Sequence, residues 1–375
     1  MLRNPRLSPI IKWAGGKERE LRYILPNLPC GVRNYYEPFV GGGAVFFAVD
    51  RPAMYINDKA PELIALYTMI RENNREFFQT LEALAWSWER LAIVARDSGA
   101  ILEDIYKKYA RDVYSGAQLP GAVVEFINRR GRELREVLAP PVNPENFIGE
   151  IKRNLLNKIT RMKKIAARKG PLDSEDILAN LEGAFKSAFY MHCRYLYNHT
   201  ATLGLGPGPA TALFYFIREY CYAAMFRYNR RGEFNVPYGG ISYNDKDFAR
   251  KVGYLKSREV REHLGKARIF CLDFEEFLRQ TAPGPEDFIF LDPPYDSDFS
   301  AYAGMSFGPA DQARLAAYLA GECRARFMLV IKNTSFIYDL YRDRGFRIRV
   351  FNKKYQVSFQ NRNDKSARHL MITNY

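Results

Sequence analysis

The sequence is poor in the groups that build metal centres and covalent cross-links. Its 375 residues hold 5 cysteines and 4 histidines, with no CxxC pair and no HExxH. Cys30, Cys193, Cys221, Cys271 and Cys323 stand singly, an odd and dispersed set that reads as reduced core thiols of a cytoplasmic protein. A zinc site is not expected from such a distribution. Long apolar runs are also missing. The greasiest segment, ATALFYFIREYCYAAMF at 210–226, is broken by Arg218 and Glu219 and is expected to be a buried helix, not a membrane span. The opening MLRNPRLSPIIKWAGGK lacks the apolar stretch of a secretory signal. Acid is the scarcer charge: 42 Asp and Glu against 56 Lys and Arg leave a formal charge of +14, which favours a polyanionic partner without naming one.

What is present is ample for a folded core. Hydrophobic residues make up 47% and aromatic residues 14%, in a chain long enough for more than one domain. NYYEPFVGGGAVFFAV (34–49) reads as an extended run, a triple glycine, and then a helix from Ala44. AMYIND follows as a strand ending at Asp58, and residues 60–84 are strongly helical. This β-loop-α-β order predicts an open, mostly parallel sheet covered by helices. From about 82 to 200 strand signals vanish and prolines punctuate apolar residues at helical spacing, predicting four or so helices. Within them Ile151 to Lys169 carries eight basic residues and no acid, while Ile151, Leu155, Ile159, Met162 and Ala166 share a face. That is an amphipathic helix whose basic side is either simply solvated or set against a phosphate backbone. After Lys246 the α/β pattern resumes: RIFCLDF as a strand ending at Asp273, FIFLD as one ending at Asp292, a helix over 310–323, RFMLVIK as a strand, and a terminal hairpin. The corresponding division is 1–81 and 246–375 as two parts of one α/β domain, with 82–245 as a helical insertion ending in a hairpin at 226–240.

Four short stretches carry chemistry. In FIFLDPPYDSD (288–298) an apolar strand runs into a carboxylate, two prolines and a tyrosine. Pro293 and Pro294 donate no hydrogen bonds, so the ladder ends there and Asp292 sits at a stiff tip with Tyr295 just beyond. A carboxylate, carbonyls without competing amides and an aromatic face suit gripping a flat polar group; an ordinary strand exit is the alternative. Gly41–Gly43 lies between strand and helix, where bare backbone approaches a ligand closely, and Asp58 falls 17 positions after Gly41, where dinucleotide-type folds place an acid on ribose hydroxyls. KWAGGK (12–17) sets Trp13 and a flexible turn between two lysines, either closing over a ligand or anchoring Trp13 in the core. FRYNRRGEFNVPYGG (226–240) interleaves Arg227, Arg230 and Arg231 with Tyr228, Asn229 and Phe234, the mixture that reads phosphates and base edges. GLGPGP (204–209) reads as a stiff loop, and NRND (361–364) as a turn.

Taken in order, KWAGGK, EPFVGGGAVFF, IND, FRYNRRGEFNVPYG and DPPY resemble the Dam-type, D12-class (alpha-group) DNA adenine-N6 methyltransferases over roughly 8–80 and 210–375. The resemblance implies a Rossmann-like fold that uses S-adenosylmethionine, with an inserted helical DNA-recognition region. It implies that Trp13, Lys17, Glu37, Phe39, Gly41, Gly43, Asp58, Asp273, Phe274 and Asp292 bind the cofactor, Lys17 at its methionine carboxylate. Asp292, Pro293, Pro294 and Tyr295 become the catalytic set. Asp292 and the Pro293 carbonyl accept the two N6 hydrogens of a flipped-out adenine, and Tyr295 stacks on it. Lys12, Arg227, Asn229, Arg230, Arg231 and Pro237 become contacts to duplex DNA. Restriction–modification, phage defence or epigenetic marking are the implied settings, in the cytoplasm of a prokaryote or encoded by a phage, with a cognate restriction or defence protein as a partner. Gly240 stands where GATC-recognising members carry an arginine, so that target is not implied. Cytosine N4, RNA adenine, or a non-catalytic DNA-binding role remain open alternatives.

Overall fold

The computed structural model describes residues 7–295, 307–354 and 366–375. The chain divides into two compact units, residues 1–73 with 255–375, and residues 74–254. The first is an α/β unit around a seven-stranded sheet. Its strands are β1 (Tyr35–Glu37), β2 (Met54–Asn57), β3 (Ala267–Phe270), β4 (Phe288–Leu291), β5 (Arg326–Lys332), β6 (Arg347–Lys354) and β7 (Ser366–Thr373), in the order β3-β2-β1-β4-β5-β7-β6. The first five run parallel, with Tyr35 opposite both Met54 and Phe288, and Leu291 opposite Leu329. β7 is antiparallel to both β5 and β6. β1 and β4 are buried along their whole length, as a parallel strand covered on both faces must be. One face packs Ile289, Leu291, Phe327 and Leu329 against Phe277, Leu315 and Leu319 of the covering helices.

The strand order fixes where a ligand can bind. From β1 the chain winds outward through β2 to β3, then returns to β4 beside β1 and winds the other way. The carboxyl ends of β1 and β4 therefore flank a topological switch point, the crevice in which open α/β sheets hold their ligands.

The second unit interrupts the β2-to-β3 crossover. Six helices make up most of it: Arg75–Asp97, Gly99–Ala110, Leu119–Glu136, Pro144–Lys169, Ser174–Asn198 and Pro207–Tyr220. Asn74, Asn143 and Asp173 cap three of them by accepting backbone N–H groups. Trp88 is the hub, its ring 4.0 Å from that of Tyr220 and 5.7 Å from that of Phe216. Among the described residues no helix is long and apolar enough to cross a membrane. Arg218 and Glu219 lie buried within 207–220, as expected for an internal helix.

Several expectations are corrected. No helix starts at Ala44: the chain makes only a 3₁₀ turn at Phe46–Ala48, within a stretch, 44–49, that is buried throughout. The stretch 60–84 is two helices, separated where Asn73 takes a left-handed backbone (φ 51°) and Asn74 caps the second. The division of the chain accordingly falls at 73/74 and 254/255. β3 ends at Phe270, since Asp273 is the N-cap of a helix over Phe274–Thr281. Pro207 opens a helix instead of continuing a loop. Cys193 and Cys221 are core thiols, whereas Cys30 and Cys271 are exposed. The NRND turn and the DSD that ends residues 288–298 lie outside the described residues.

Candidate active site

The glycine loop leaves β1 and is tied to the end of β2, where the Val40 amide donates to the Asn57 carbonyl at 2.9 Å. Gly41 and Gly43 have positive φ (49° and 79°), which glycine alone adopts without strain. Space is as limiting as conformation. A Cβ on Gly41 would lie 3.0 Å from the Trp13 ring, one on Gly42 2.5 Å from the Ile11 carbonyl oxygen, and one on Gly43 2.5 Å from the Tyr67 hydroxyl. The KWAGGK segment thus lies directly against the loop, and Tyr67 donates to the Gly41 carbonyl at 2.9 Å. Asp58, just past β2, accepts from the amides of Gly41 and Ala60, each at 3.0 Å. Burial outweighs those hydrogen bonds and raises its carboxyl to about 6.

Asp292 leaves the carboxyl end of β4 on the other side of the switch point. Lys17 bridges the two halves. Its side chain is buried, and its ammonium donates to the Gly15 carbonyl at 2.9 Å, to the Tyr295 hydroxyl at 3.1 Å and to Asp292. Expected at the methionine end of the cofactor, Lys17 here joins the KWAGGK turn to the acidic tip. Tyr295 rests its ring edge-on to His369 of β7, with centroids 5.5 Å apart. Pro294 offers its carbonyl to the Gln312 side-chain amide at 2.8 Å.

The other expected cofactor residues separate into two groups. Phe39 and Phe274 pack 5.6 Å apart, and Phe307, which the sequence reading missed, closes the group 5.5 Å from Phe39. Asp273 caps its helix and also receives Arg314 on both carboxylate oxygens, at 2.9 and 3.0 Å. Arg314 lies over the Phe274 ring at 4.8 Å. Glu37 differs: it is buried, bonded to the Tyr35 hydroxyl at 2.7 Å, and loss of water pushes its carboxyl well above the usual range. That places Glu37 as an internal group at the end of β1.

In the helical unit, residues 226–240 form a hairpin closed by two isolated bridges, Cys221 with Tyr238 and Tyr228 with Phe234. One face of the Ser174–Asn198 helix supplies what a neighbouring strand otherwise would. Tyr190 and Arg194 both donate to the Val236 carbonyl, at 2.8 and 3.1 Å, and Asn198 bonds both the N–H and the C=O of Phe234. The spacing of these three is i, i+4, i+8 on one helix face. At the tip the Asn229 side chain accepts from the amides of Arg231 and Glu233, which ties the turn together. Arg227, Arg230, Arg231 and Pro237 are exposed, as is Lys12 in the other unit. The basic helix is real: Ile151, Leu155, Ile159 and Met162 are fully buried, Ala166 partly so, and most of the cations point outward.

An open α/β sheet with a glycine loop and an acid at its switch point is an arrangement in which such sheets hold nucleoside ligands. A model of the D12 class N6 adenine-specific DNA methyltransferases matches residues 13–92 and 152–357, and the chain belongs to that family. It is 24% identical to the type II methyltransferase M.CviBI of Paramecium bursaria Chlorella virus NC1A, over 98% of this chain and 100% of that protein. It is 26% identical to the Retron Ec67 DNA adenine methylase of Escherichia coli, over 90% and 81%, and 23% identical to a DNA adenine methylase of Serratia marcescens, over 88% and 86%. Site-specific methylation of DNA adenine is therefore its activity.

Proposed function

We propose that the crevice between the glycine loop and the Asp292 tip binds S-adenosylmethionine, the methyl donor the family implies, together with an adenine turned out of duplex DNA. The observation that supports this most directly is the switch point itself, which sets Asp58 and the glycine loop on one side and the acceptor-rich tip on the other. The residues present fit the cofactor: a tightly packed glycine turn of bare backbone at the end of β1, a carboxyl for ribose hydroxyls, and the Phe39, Phe274, Phe307 group for an adenine ring. When bound, S-adenosylmethionine supplies an electrophilic methyl group.

The protein's part is alignment and charge. The exocyclic amine of adenine is a poor nucleophile because its lone pair is delocalised into the ring. In this reading Asp292 and the Pro293 carbonyl accept its two hydrogens, which favours a tetrahedral nitrogen and stabilises the positive charge developing there. Tyr295 supplies the face on which the base rests, and Lys17 holds Asp292 in place. No side chain forms a covalent intermediate. Arg227, Arg230 and Arg231 contact duplex DNA, and the outer side of the 144–169 helix adds phosphate contacts. The names of the relatives, type II methyltransferases and a retron methylase, favour a setting in restriction–modification or phage defence. The test is nucleoside mass spectrometry of duplex DNA incubated with protein and S-adenosylmethionine. N6-methyladenine is the expected product; N4-methylcytosine, or no product from varied duplexes, overturns the reading.

Asp58 gives the reading a pH signature. Its folded-state carboxyl is raised above the ordinary value, so its contribution to stability is full in acid and lost as pH rises through about 6. Neutral pH therefore holds a carboxylate at a cost that hydroxyl donors relieve. Cofactor affinity is expected to fall by up to about tenfold per unit below pH 6, where binding needs the proton removed. Asp58→Asn should bind about tenfold more weakly at pH 8 and show little dependence on pH. Calorimetric titration across that range decides; an unchanged slope in Asp58→Asn takes the carboxyl out of cofactor binding.

A further inference from the structure

The acidic tip is a piece of backbone without a ladder. The last strand pair ends at Leu291 opposite Leu329, and the two prolines that follow carry no N–H with which to fix a peptide plane. Yet the proposed chemistry depends on where the Pro293 carbonyl points. Lys17 holds this stretch at Asp292 and Tyr295, and a second side chain from elsewhere in the fold holds the proline backbone between them. Gln312, in the helix Pro309–Gly321, is fully buried and donates its amide to the Pro294 carbonyl at 2.8 Å. Its own position is fixed. Pro309 opens the helix, Asp311 accepts from the Gly308 amide at 2.9 Å, and Leu315, Ala316 and Leu319 seat the same helix in the core.

The choice of glutamine is informative. Position 312 begins an i, i+3, i+4, i+7 series whose other members are Leu315, Ala316 and Leu319, an apolar face on which a leucine would pack. The other end of the amide, Oε1, is buried with no hydrogen-bond partner among the described residues. A buried acceptor left so is a cost to folding that a leucine would not carry. A lysine or arginine would bring a second cation beside Lys17, and a carboxylate would repel the Pro294 carbonyl. A neutral donor of this length satisfies the carbonyl without disturbing the charge on Asp292.

We propose that Gln312 is a positioning residue for methyl transfer: by holding the Pro294 carbonyl it sets the peptide planes of the tip and so aims the Pro293 carbonyl and the Asp292 carboxylate at the target amine. This rests on the reading of the tip given above. It touches no reacting atom, and its effect is expected in the rate of transfer, not in binding.

The experiment measures single-turnover transfer with saturating S-adenosylmethionine and duplex, dissociation constants for both, and the melting temperature. In Gln312→Leu the rate should drop by about 10- to 100-fold, as for a reacting group moved by a fraction of an ångström. Both dissociation constants should stay within about threefold of wild type, with the melting temperature unchanged or higher. Gln312→Glu should be slow in mild alkali and regain rate as the pH is lowered, because only a protonated carboxyl donates to the Pro294 carbonyl; the wild type should have no such rising limb. A Gln312→Leu protein with wild-type rate overturns the inference, as does one whose loss is accounted for by weaker binding. Should that variant not fold, the pH profile of Gln312→Glu decides alone, a profile like the wild type overturning it. Asp292→Asn in the same assay separates the two levels. Retained turnover there removes the reading of the tip itself, whereas an inactive Asp292→Asn beside a fully active Gln312→Leu removes only the positioning role.

Discussion

Asp292→Asn is expected to fold, to bind duplex DNA and cofactor, and to transfer methyl groups at least about 10²- to 10³-fold more slowly than the wild type. The amide keeps an oxygen for Lys17 and nearly the volume of the acid, but it loses the negative charge that meets the developing ammonium. Asp292→Ala is a different experiment. Lys17 is 2% exposed and Asp292 17%, and removing the acid leaves a buried cation whose nearest anion is gone. Loss of one partner from a fully buried pair costs about 3–5 kcal/mol, and the partial exposure of Asp292 puts the expected cost at the lower end, about 3 kcal/mol. The alanine variant should therefore melt several degrees lower as well as being inactive. Single-turnover kinetics and thermal melts of both variants test this. Wild-type turnover in Asp292→Asn dismisses the acid from catalysis, and an alanine variant as stable as wild type shows that the ion pair contributes nothing to the fold.

The prediction depends on a contact that no local reading of the sequence supplies: Lys17 and Asp292 are 275 positions apart. Elements governed by local rules were legible. RFMLVIK is β5 residue for residue, FIFL is β4, and the apolar stripe from Ile151 to Met162 is the buried side of its helix. The two strands are continuous apolar runs and the helix a period of side-chain burial, both of which the sequence carries directly. The misses arise where a competing rule prevailed. The apolar residues before Asp273 suggest the end of a strand, although an acid followed by Phe-Glu-Glu is equally an N-cap with acidic first-turn residues. Gln312 also left a signal, a polar residue at the head of an otherwise apolar helical face. The clasp of Tyr190, Arg194 and Asn198 on the hairpin left none, since nothing in that helix marks which chain its side chains will meet.

Gly42, absent from the expected cofactor residues, is a position where substitution should disturb the site through space alone. Its backbone is ordinary, so the restriction is purely one of space: a Cβ would stand 2.5 Å from the Ile11 carbonyl oxygen and 3.5 Å from the Trp13 Cβ. At Gly43 the nearest obstacles are the Tyr67 hydroxyl and the Phe47 ring, both fully buried, and its positive φ adds a backbone strain that Gly42 does not have. At Gly42 the obstacle is main chain, in a segment anchored by buried Ile10 and Ile11, so either that segment or the glycine loop has to move. Both carry the proposed site, because the displaced strand of chain leads directly to Trp13 and Lys17. Gly42→Ala is expected to destabilise the protein by about 2–4 kcal/mol and to weaken cofactor binding by about tenfold or more. Gly149→Ala is the control: it lies within the Pro144–Lys169 helix with nothing within 4 Å of the added methyl, and should stabilise the fold by up to about 1 kcal/mol. Melting curves and calorimetric titration of the two variants decide the matter. If Gly42→Ala binds S-adenosylmethionine as the wild type does while Gly149→Ala behaves as expected, the close approach of the KWAGGK segment to the glycine loop plays no part in holding the cofactor.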